Sequence, residues 1–373
     1  MIMKKTDNFL EKALKDYDEY WNNSFNFFLQ WHITNQCNFR CKHCYQTDYK
    51  KPILSFKQME LIFENFLQII EEKRNESLGN KNIIFHLSIT GGEPLLYDHF
   101  DKLMSKIAQK KKEFQLSIMS KGSLLKPLIL KKLFNDYKVD IIQISIEGVE
   151  KKNDEIRGKR NFAKAIRALE NIKKMGKKSV ISFTLNKQNL EDIPLLVKLA
   201  YDLKTNISIR RLVLQGAGKN MKELLVSPNE LESVYRYIDT INSNSRENGE
   251  DDLIFLGCES GIASQFNLKN KSAIIFCLAM TKGILTVLPD GSVYSCRRLP
   301  IKIGDLNHEN LIDVYHRIAK GEYKIQMDKM PIECQQCQYF NSCFGGSRCV
   351  AFSYSLDKDL YAPDPQCSKL FSN

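Results

Sequence analysis

Six short β-type runs alternate with amphipathic helical stretches between about residues 27 and 213, and this alternation constrains the fold most. The runs are rich in Ile, Val, Phe and Leu, and most are too apolar to have one face in water. They cover residues 26–34, 83–90, 114–120, 139–146, 178–185 and 207–214. Helical patterns lie between them, for example at 56–73 and at 162–176, where Gly176 marks the end. This order predicts a parallel sheet with right-handed crossovers, and both an open doubly wound sheet and a barrel fit it.

The eleven cysteines are distributed very unevenly along the chain. Cys37, Cys41 and Cys44 lie near the beginning, the next is Cys258, and the remaining ones fall between there and Cys367. No run approaches 18 consecutive apolar residues, and the N-terminus lacks the apolar stretch of a signal peptide, so we expect a cytoplasmic protein. Because that compartment keeps thiols reduced, the cysteines predict metal binding or reactive thiols and not a disulfide framework. Two metal regions separated by a cysteine-free body fit this distribution.

The chain is basic, with 55 Lys and Arg against 44 Asp and Glu and a net charge of +11. Such a charge first suggests nucleic acid or an anionic surface as a partner. The lysine clusters, however, lie mostly near the ends of the predicted helices, where they complement the helix dipole and keep the surface soluble. The sequence has no arginine-rich stretch interleaved with aromatic residues, which single-strand binding would favour. We therefore expect neither a nucleic acid nor a membrane as a partner.

Three cysteines in the spacing C-x3-C-x2-C, at Cys37, Cys41 and Cys44, directly follow the first predicted strand. Loops at the C-terminal ends of parallel strands are where α/β folds build their active sites. A structural zinc site or an electron-transfer iron–sulfur cluster uses four protein ligands, so three cysteines leave one metal corner open for a substrate or cofactor. A zinc site completed by His32 or His43 is the alternative interpretation.

The second predicted strand ends in Gly91, Gly92, Glu93 and Pro94. Two glycines allow the backbone to approach a ligand closely and to expose its N–H and C=O groups to it. The carboxylate that follows them could receive an ammonium group. Taken alone the motif is weak, because a Gly-Gly turn before a helix is common.

Together, the cysteine triplet and the Gly-Gly-Glu-Pro segment resemble the radical S-adenosylmethionine (SAM) superfamily. The resemblance covers about residues 27–215 and implies an α/β fold with a partial (β/α)6 TIM-like barrel in place of an open sheet. It implies that Cys37, Cys41 and Cys44 hold a [4Fe–4S] cluster whose open iron is chelated by SAM, with the Gly-Gly-Glu-Pro segment at the amino group. In the family, one electron from the cluster cleaves SAM to methionine and a 5′-deoxyadenosyl radical, which abstracts hydrogen from the substrate.

Three further segments carry the same resemblance. Residues 119–122 (Met-Ser-Lys-Gly) lie where relatives often have a Thr-Asn-Gly turn. Residues 144–148 resemble the Ser-Leu-Asp-Gly strand end of relatives, with Glu in place of Asp. Residues 153–158 resemble the Asp-x-Ile-Arg-Gly segment that follows in relatives. The cofactor-binding residues implied by the resemblance are Tyr45, Gly91, Gly92, Glu93, Pro94, Ser120, Ser145, Glu147 and Arg157. In relatives the tyrosine after the last cysteine packs on the cofactor, and no catalytic base is assigned.

The C-terminal third has a different pattern, with short runs, turn residues and frequent cysteines. Residues 284–296 form a predicted β-hairpin with a Pro-Asp-Gly turn. Cys334, Cys337 and Cys343 then follow in the spacing C-x2-C-x5-C, and Cys349 and Cys367 complete the series. A Cys-x2-Cys pair with a third cysteine nearby indicates a metal site, and tetrahedral zinc and an iron–sulfur cluster fit the spacing equally well.

This region resembles the SPASM domain, the extension of many peptide-modifying radical SAM enzymes that binds two auxiliary iron–sulfur clusters. The implied ligands of the outer auxiliary cluster are Cys334, Cys337, Cys343 and Cys367, and those of the inner one include Cys277 and Cys296. The chain departs from the pattern at Ser347, where relatives supply a cysteine, and Cys349 lies two residues later. Either Cys349 substitutes for the missing ligand or the inner cluster has an open or non-cysteine position, and Cys258 is a candidate for its last ligand.

The two resemblances imply a division of the chain into four segments. These are an N-terminal helical extension at 1–26, the barrel at 27–215, a helical bridge at 216–256 and the SPASM domain at 257–373. They imply a radical SAM enzyme that modifies a side chain of a ribosomally made peptide by cross-linking or a related oxidation, with the auxiliary clusters handling electrons or substrate. The enzymatic alternatives are an anaerobic sulfatase maturase and a haem- or cofactor-biosynthesis enzyme with the same domain. The non-enzymatic alternative is a metal-stabilised RNA-binding protein.

The predicted partners follow from this function. They are a precursor peptide or protein and a one-electron reductant such as flavodoxin or ferredoxin. About 25 residues precede the first strand, too few for the winged-helix domain that recognises the leader peptide in many such maturases. We therefore expect a separate leader-peptide-binding protein or none, and the basic surface could recruit an acidic leader.

Overall fold

The computed structural model describes residues 3–23, 25–77, 83–266, 268 and 277–371 of the chain, apart from the side chains of residues 3–9, 258 and 260. The described strands form one ten-stranded sheet. They are β1 Phe27–His32, β2 Phe85–Thr90, β3 Gln115–Ser120, β4 Ile141–Ser145, β5 Lys178–Leu185, β6 Asn206–Arg211, β7 Ile254–Phe255, β8 Ile284–Val287, β9 Ser292–Cys296 and β10 Leu299–Asp305. The six strands predicted from the sequence are β1 to β6, and all of them are confirmed.

The strands β1 to β6 pair in parallel and in chain order, and the complete sheet runs β10-β9-β8-β1-β2-β3-β4-β5-β6-β7. In the described part of the chain the two end strands, β10 and β7, do not pair with each other. The sheet curls into a partial barrel, so the predicted fold class is confirmed. Because loops at the C-terminal ends of parallel strands meet at one rim, this rim is the place for the site.

Helices cover the outer face of the barrel and complete the C-terminal region. They are α1 Met3–Asn22, α2 Phe56–Glu76, α3 Phe100–Gln109, α4 Pro127–Lys131, α5 Glu150–Arg157, α6 Asn161–Lys174, α7 Ile193–Leu203, α8 Pro228–Glu247, α9 Ser260–Ala263, α10 Leu311–Ala319, α11 Ile332–Gln335, α12 Phe340–Cys343, α13 Arg348–Tyr354 and α14 Ser368–Phe371. The predicted helices at 56–73 and 162–176 correspond to α2 and α6. A capping box starts α2, because the Ser55 side chain accepts from the Gln58 amide while the Gln58 side chain accepts from the Ser55 amide.

The two faces of the sheet differ in polarity. On β1, Leu29 and Trp31 are fully buried in the apolar core beneath the helices. Since successive side chains of a strand alternate, Gln30 points to the opposite, inner face of the barrel. On the same inner face, the Ser117 hydroxyl donates to that of Ser88 at 3.0 Å. The barrel interior beneath the predicted site is therefore partly polar.

The cysteine-rich C-terminal region is joined to the barrel through the sheet itself. Strand β8 pairs in parallel with β1, with Phe28 opposite Ile284, and it continues into the hairpin with β9. The predicted Pro-Asp-Gly turn is confirmed, and Gly291 has the positive φ, +88°, that a glycine tolerates. The hairpin thus covers an edge of β1 that would otherwise expose unpaired N–H and C=O groups.

Much of the N-terminal helix α1 packs on the C-terminal region, whereas Trp21 in its last turn is buried in the barrel core. The Tyr17 hydroxyl donates to the Met280 carbonyl at 2.7 Å, and its ring lies 6.1 Å from that of Phe344. These residues belong to a second apolar core, separate from that of the barrel. None of the described helices has the length and apolar character to cross a membrane.

Candidate active site and metal centres

The cysteine loop, residues 37–44, follows β1 and is held by backbone hydrogen bonds to two distant segments. The Lys42 amide donates to the Ile156 carbonyl in α5 at 2.9 Å, and the Ala217 amide donates to the Cys44 carbonyl at 2.7 Å. Gly216 permits the second contact, because it has a φ of +56° and a Cβ there would lie 2.5 Å from the Cys44 carbonyl oxygen. The loop therefore lies at the rim where the sequence predicts the active site.

Each of the three thiols in the cysteine loop has a hydrogen-bond donor beside it. Lys121 Nζ lies 2.7 Å from Cys37 Sγ, and Arg157 Nη1 lies 3.8 Å from Cys41 Sγ. The Cys44 sulfur accepts from the backbone amide two residues further along the chain, at 3.4 Å. Burial raises the pKa of the Cys41 thiol, and the cations of Arg157 and Lys121 oppose this rise. Soft thiolates supported by buried cations fit an anionic iron–sulfur cluster.

The two histidines considered as a fourth zinc ligand are engaged elsewhere. His43 Nε2 lies 3.3 Å from Glu147 Oε1, and His32 Nδ1 lies 3.5 Å from the Tyr45 hydroxyl. Burial, reinforced by the Arg297 guanidinium, holds the pKa of His32 well below its usual value. Among the described residues, no three His, Cys, Asp or Glu side chains converge as the ligands of a single metal ion would.

Gly91 and Gly92 bring the end of β2 against the segment that follows β1. A Cβ on Gly91 would lie 2.6 Å from the Thr34 carbonyl oxygen, and one on Gly92 would lie 2.8 Å from that of Asn35. The Gly92 amide donates to the Thr34 carbonyl at 2.8 Å, whereas the sequence predicts that these glycines expose such groups to a ligand. The close approach seen in the structure is to the protein's own backbone. Pro94 is buried and begins a single 3-10 turn.

Glu93 is fully buried, and its carboxylate points towards the end of β3. The Ser120 hydroxyl donates to Glu93 Oε1 at 2.9 Å, and the Lys121 amide donates to Oε2 at 3.2 Å. Burial raises the pKa of Glu93, and the Lys121 cation opposes the rise. Two residues predicted to bind the cofactor, Glu93 and Ser120, thus bind each other. Their contact with SAM stays a prediction.

Glu147 follows β4 and lies at the centre of a buried ion network. It accepts from the Thr184 amide at 2.6 Å and pairs with the Arg157 guanidinium and the His43 imidazole. Although burial opposes ionisation, Arg157 and His43 lower the pKa of Glu147 to about 2. Arg157 also lies beside the second cysteine of the loop, so two predicted site residues meet there. Ser145, the last residue of β4, is half-buried.

Tyr45 is packed against the hairpin of the C-terminal region. The Arg297 guanidinium lies 4.0 Å above the centre of its ring, and Arg297 Nη2 donates to the Tyr45 carbonyl at 3.3 Å. Burial raises the pKa of the Tyr45 phenol, so this side chain is neutral. Because Arg297 follows Cys296 and Tyr45 follows Cys44, the contact joins the cysteine loop to the second cysteine region.

Four cysteines of the C-terminal region line one cavity of about 400 Å³, including its open mouth. They are Cys334, Cys337, Cys343 and Cys367, the four that the sequence assigns to the outer auxiliary cluster. Burial raises the pKa of Cys334 to about 11, with Arg348 opposing the rise and the neighbouring thiols of Cys367 and Cys337 adding to it. The four thiols therefore share one cavity, and the donor set fits a four-cysteine cluster.

The cysteines assigned to the inner auxiliary cluster lie in the second apolar core. Cys277 and Cys349 are buried, and Cys296 packs against the same core. Ser347 is also buried, and its hydroxyl has no hydrogen-bond partner in the part of the chain that the structure describes. The side chain of Cys258 lies outside the described residues. The ligand set of the inner cluster stays a prediction.

Several residues of the site were missed by the sequence analysis. Lys121 lies within a segment that resembles the family pattern, and Arg297 directly follows Cys296, so their positions were available as signals. Gly216 belongs to a Gly-x-Gly pattern that begins five residues after the end of β6, and such a pattern is compatible with close backbone approach. Arg211, which links β6 to the C-terminal tail, has no local signal in the sequence.

Comparison with known proteins agrees with this arrangement. A profile of the radical SAM superfamily matches residues 31–200, and a profile of an iron–sulfur cluster-binding domain, SPASM, matches residues 277–338. The chain is 26% identical over 352 residues to the mycofactocin maturase MftC of Mycolicibacterium smegmatis, covering 91% of this chain and 82% of the relative. It is 30% identical over 372 residues to the Fe-coproporphyrin III synthase of Methanosarcina barkeri, covering 90% of this chain and 86% of the relative.

Solved structures share the fold over most of the chain. Streptococcus suis SuiB bound to its precursor peptide SuiA matches with a TM-score of 0.70 at 18% identity, covering 96% of this chain and 79% of SuiB. The structure of anSMEcpe with bound AdoMet matches with a TM-score of 0.68 at 19% identity, covering 92% of this chain and 91% of that protein. At these identities the structural likeness defines the fold alone.

Proposed function

Because the chain belongs to the radical SAM superfamily and carries a SPASM domain, we propose that it modifies a side chain of a ribosomally made peptide by cross-linking or a related oxidation. It is a radical SAM enzyme, and its cofactors are SAM, a [4Fe–4S] cluster and auxiliary iron–sulfur clusters in the SPASM domain. When bound, SAM and the [4Fe–4S] cluster supply a 5′-deoxyadenosyl radical that takes a hydrogen atom from the substrate. We assign this cluster, called the SAM cluster below, to Cys37, Cys41 and Cys44.

The contact between Arg297 and Tyr45 carries the proposal. It joins the residue after Cys44, in the loop assigned to the SAM cluster, to the residue after Cys296, assigned to the inner auxiliary cluster. Oxidation of a peptide side chain removes a second electron after the first hydrogen atom. An auxiliary cluster close to the SAM site would be placed to accept that electron, and the contact supports such an arrangement.

The residues around the cysteine loop position it and hold charge in defined places. Glu147 stays ionised and fixes Arg157 beside Cys41, while Glu93 fixes the turn that carries Lys121 beside Cys37. Tyr45 is a neutral phenol stacked under Arg297, a state that supports packing on the cofactor and not proton abstraction at neutral pH. We propose that Gly91 to Pro94, Ser120, Ser145, Glu147 and Arg157 form the SAM side of the site.

The choice of a peptide substrate is supported by the relatives. MftC is a maturase, another relative that is 23% identical is a PqqA peptide cyclase of Granulibacter bethesdensis, and SuiB binds the precursor peptide SuiA. We further propose a flavodoxin- or ferredoxin-type reductant, and either a separate leader-peptide-binding protein or none. The net charge of +11 would favour an acidic leader. Leader binding that did not weaken with rising ionic strength would contradict this part of the proposal.

The experiment is an anaerobic assay of the reconstituted full chain. We expect a brown protein with roughly 8–12 irons that releases 5′-deoxyadenosine from SAM under a reductant. If a short cysteine-containing peptide is encoded beside this gene, it is the first substrate to test. Mass spectrometry should then show the loss of two hydrogens for each cross-link. Zinc without iron and no SAM cleavage would contradict the enzymatic proposal. Formylglycine formed on a sulfatase peptide would identify a sulfatase maturase instead.

A second candidate is a haem-biosynthesis activity, because the relative with 30% identity is an Fe-coproporphyrin III synthase. Tetrapyrrole precursors should be incubated with the same reconstituted enzyme, and products analysed by absorbance and mass. Formation of Fe-coproporphyrin III with no change in any tested peptide would favour this candidate. The peptide proposal predicts that SAM cleavage is stimulated by the peptide and not by the tetrapyrrole.

A further inference from the structure

Lys121 is a buried lysine whose ammonium group faces a cysteine sulfur. It is 5% exposed, and its Nζ lies 2.7 Å from Cys37 Sγ, 3.1 Å from Asn38 Oδ1 and 3.7 Å from Glu93 Oε2. The same Nζ lies 5.2 Å from the centre of the Phe39 ring. Burying an ammonium group is costly unless it is paired. Its place beside Cys37 is therefore a specific feature of the fold.

The turn that carries Lys121 is fixed from several sides. Glu93 accepts from the Ser120 hydroxyl and from the Lys121 amide. The Asn161 side chain donates to the Lys121 carbonyl at 3.3 Å. Gly122, with a φ of +82°, follows and donates to the Ser120 hydroxyl at 3.1 Å. The backbone of Lys121 is thus held, and its side chain can reach the cysteine loop without large rearrangement.

The charge of Lys121 is only partly neutralised by protein groups. The Glu93 carboxylate, 3.7 Å away, also accepts two other hydrogen bonds. The remaining field of the ammonium group acts on Cys37. Hydrogen bonds to the sulfurs and net charge near an iron–sulfur cluster set its reduction potential, because the added electron makes the cluster more negative.

We propose that Lys121 is a positioning residue that raises the reduction potential of the SAM cluster through a charge-assisted N–H···S bond to Cys37. The proposal rests on the family assignment of the three cysteines and not on the peptide substrate. It concerns how easily the cluster receives its electron, a property that is measurable without any substrate. Its failure and the failure of the peptide proposal are therefore distinguishable.

The test compares four reconstituted full-length variants with the parent enzyme. Lys121→Met removes the charge and the donor at similar length, Lys121→Asn introduces the residue that relatives often carry in this turn, and Lys121→Arg keeps a cationic donor. Lys164→Met is the matched control, because Lys164 is exposed and lies 6.0 Å from the same Phe39 ring. It has no described hydrogen bond to a cysteine of the loop.

The readout is an anaerobic redox titration followed by electron paramagnetic resonance. The signal of the SAM cluster is recognised by its change when SAM is added, which separates it from the auxiliary clusters. At a fixed potential near the parent midpoint, we expect the ratio of reduced to oxidised SAM cluster to fall about tenfold in Lys121→Met, which corresponds to about 59 mV for one electron. The ratio of reduced to oxidised SAM cluster should also fall in Lys121→Asn. In Lys121→Arg this ratio should stay close to the parent value.

Three outcomes would overturn the proposal. The first is an unchanged midpoint in Lys121→Met and Lys121→Asn at full iron content. The second is an equal shift in Lys164→Met, which would show that any lysine near Phe39 has this effect. The third is loss of iron from both neutral variants with retention in Lys121→Arg, because that would make Lys121 an assembly residue and not one that tunes the potential.

Discussion

Arg211 and Asp364 form a fully buried, bidentate ion pair, with both nitrogen–oxygen distances at 2.9 Å. Arg211 ends β6 of the barrel, and Asp364 lies three residues before Cys367 in the C-terminal tail. Glu259 joins this pair, since Arg211 Nε donates to its Oε2 at 2.6 Å, and the Arg298 guanidinium pairs with the other oxygen of Glu259, so that two cations face two carboxylates. Asp364 also accepts from the Ser347 amide at 3.0 Å. The position of the tail that carries Cys367 therefore depends on a residue of the barrel sheet.

Replacement of Arg211 should release the outer auxiliary cluster. Arg211→Met leaves Asp364 buried without its cation, whereas Glu259 stays paired with Arg298. Breaking a buried pair in this way costs about 3–5 kcal/mol. We expect the variant to lose about four irons per chain while the electron paramagnetic resonance signal of the SAM cluster is retained. Arg236→Met is the control, because Arg236 forms an exposed pair with Glu232 on α8 that is worth about 0.3–0.5 kcal/mol. Full iron content in Arg211→Met would contradict this role.

Gly92 should not tolerate a side chain, although its backbone conformation would accept one. In Gly92→Ala the new Cβ would overlap the carbonyl oxygens of Gln36 and Asn35, the latter at 2.8 Å. We expect the segment after β1 to shift, unfolding in urea to become easier by about 1–3 kcal/mol, and iron content and SAM binding to fall. Gly176→Ala is the matched control, because its φ of +64° is strained but nothing lies within 4 Å. Gly176→Ala should lower the free energy of unfolding by about 1 kcal/mol and should lose no iron.

The barrel strands were predictable because each is a continuous apolar run with local turn signals. The pairing of β8 with β1 was not, since Phe28 and Ile284 are far apart in the chain and an edge pairing leaves no pattern in either segment. The two-residue strand β7 is too short for periodicity to detect. Packing of α1 on the second apolar core was also missed. An amphipathic helix has an apolar face, but its sequence does not identify what that face contacts.

The residues of the candidate site also divide into those that the sequence predicted and those that only the structure places. The resemblance to the SPASM domain implied a set of four cysteines, and these four line one cavity in the structure. The contacts of Gly92 and Glu93 with the protein itself were not predictable, since they depend on neighbouring strands. Lys121 was visible in the sequence, but only the structure places its ammonium group beside Cys37.

Lys73 should give the stability of the protein a specific dependence on pH. It is fully buried on α2, and burial, reinforced by Lys282, lowers its pKa to about 8 from 10.5. Between these values the unfolded chain binds more protons than the folded one, so this lysine makes the folded state more stable as pH rises, by up to about 1.4 kcal/mol per unit. Below pH 8 the full cost of the buried charge is present.

We therefore expect Lys73→Met to increase the free energy of unfolding at pH 7 and to flatten its rise towards pH 10. Urea unfolding of both proteins at pH 7 and pH 9.5 measures the effect. The increase in the free energy of unfolding caused by Lys73→Met should be smaller at pH 9.5 than at pH 7. Lys198→Met, at an exposed site, should show no such difference between the two pH values. An equal increase in the free energy of unfolding at the two pH values would contradict the prediction.

Substitutions of Cys349 and Ser347 should identify the last ligands of the inner auxiliary cluster. Both residues are buried at the beginning of α13, but the Ser347 hydroxyl has no partner among the described residues, so Ser347→Ala breaks no hydrogen bond that the structure describes. If Cys349 takes the place of the missing cysteine, Cys349→Ala loses about four irons per chain and Ser347→Ala loses none. Cys296→Ala serves as the reference for loss of that cluster. Iron loss in Ser347→Ala with none in Cys349→Ala would instead make the serine oxygen the ligand. Iron analysis with Mössbauer spectroscopy distinguishes these outcomes without any substrate.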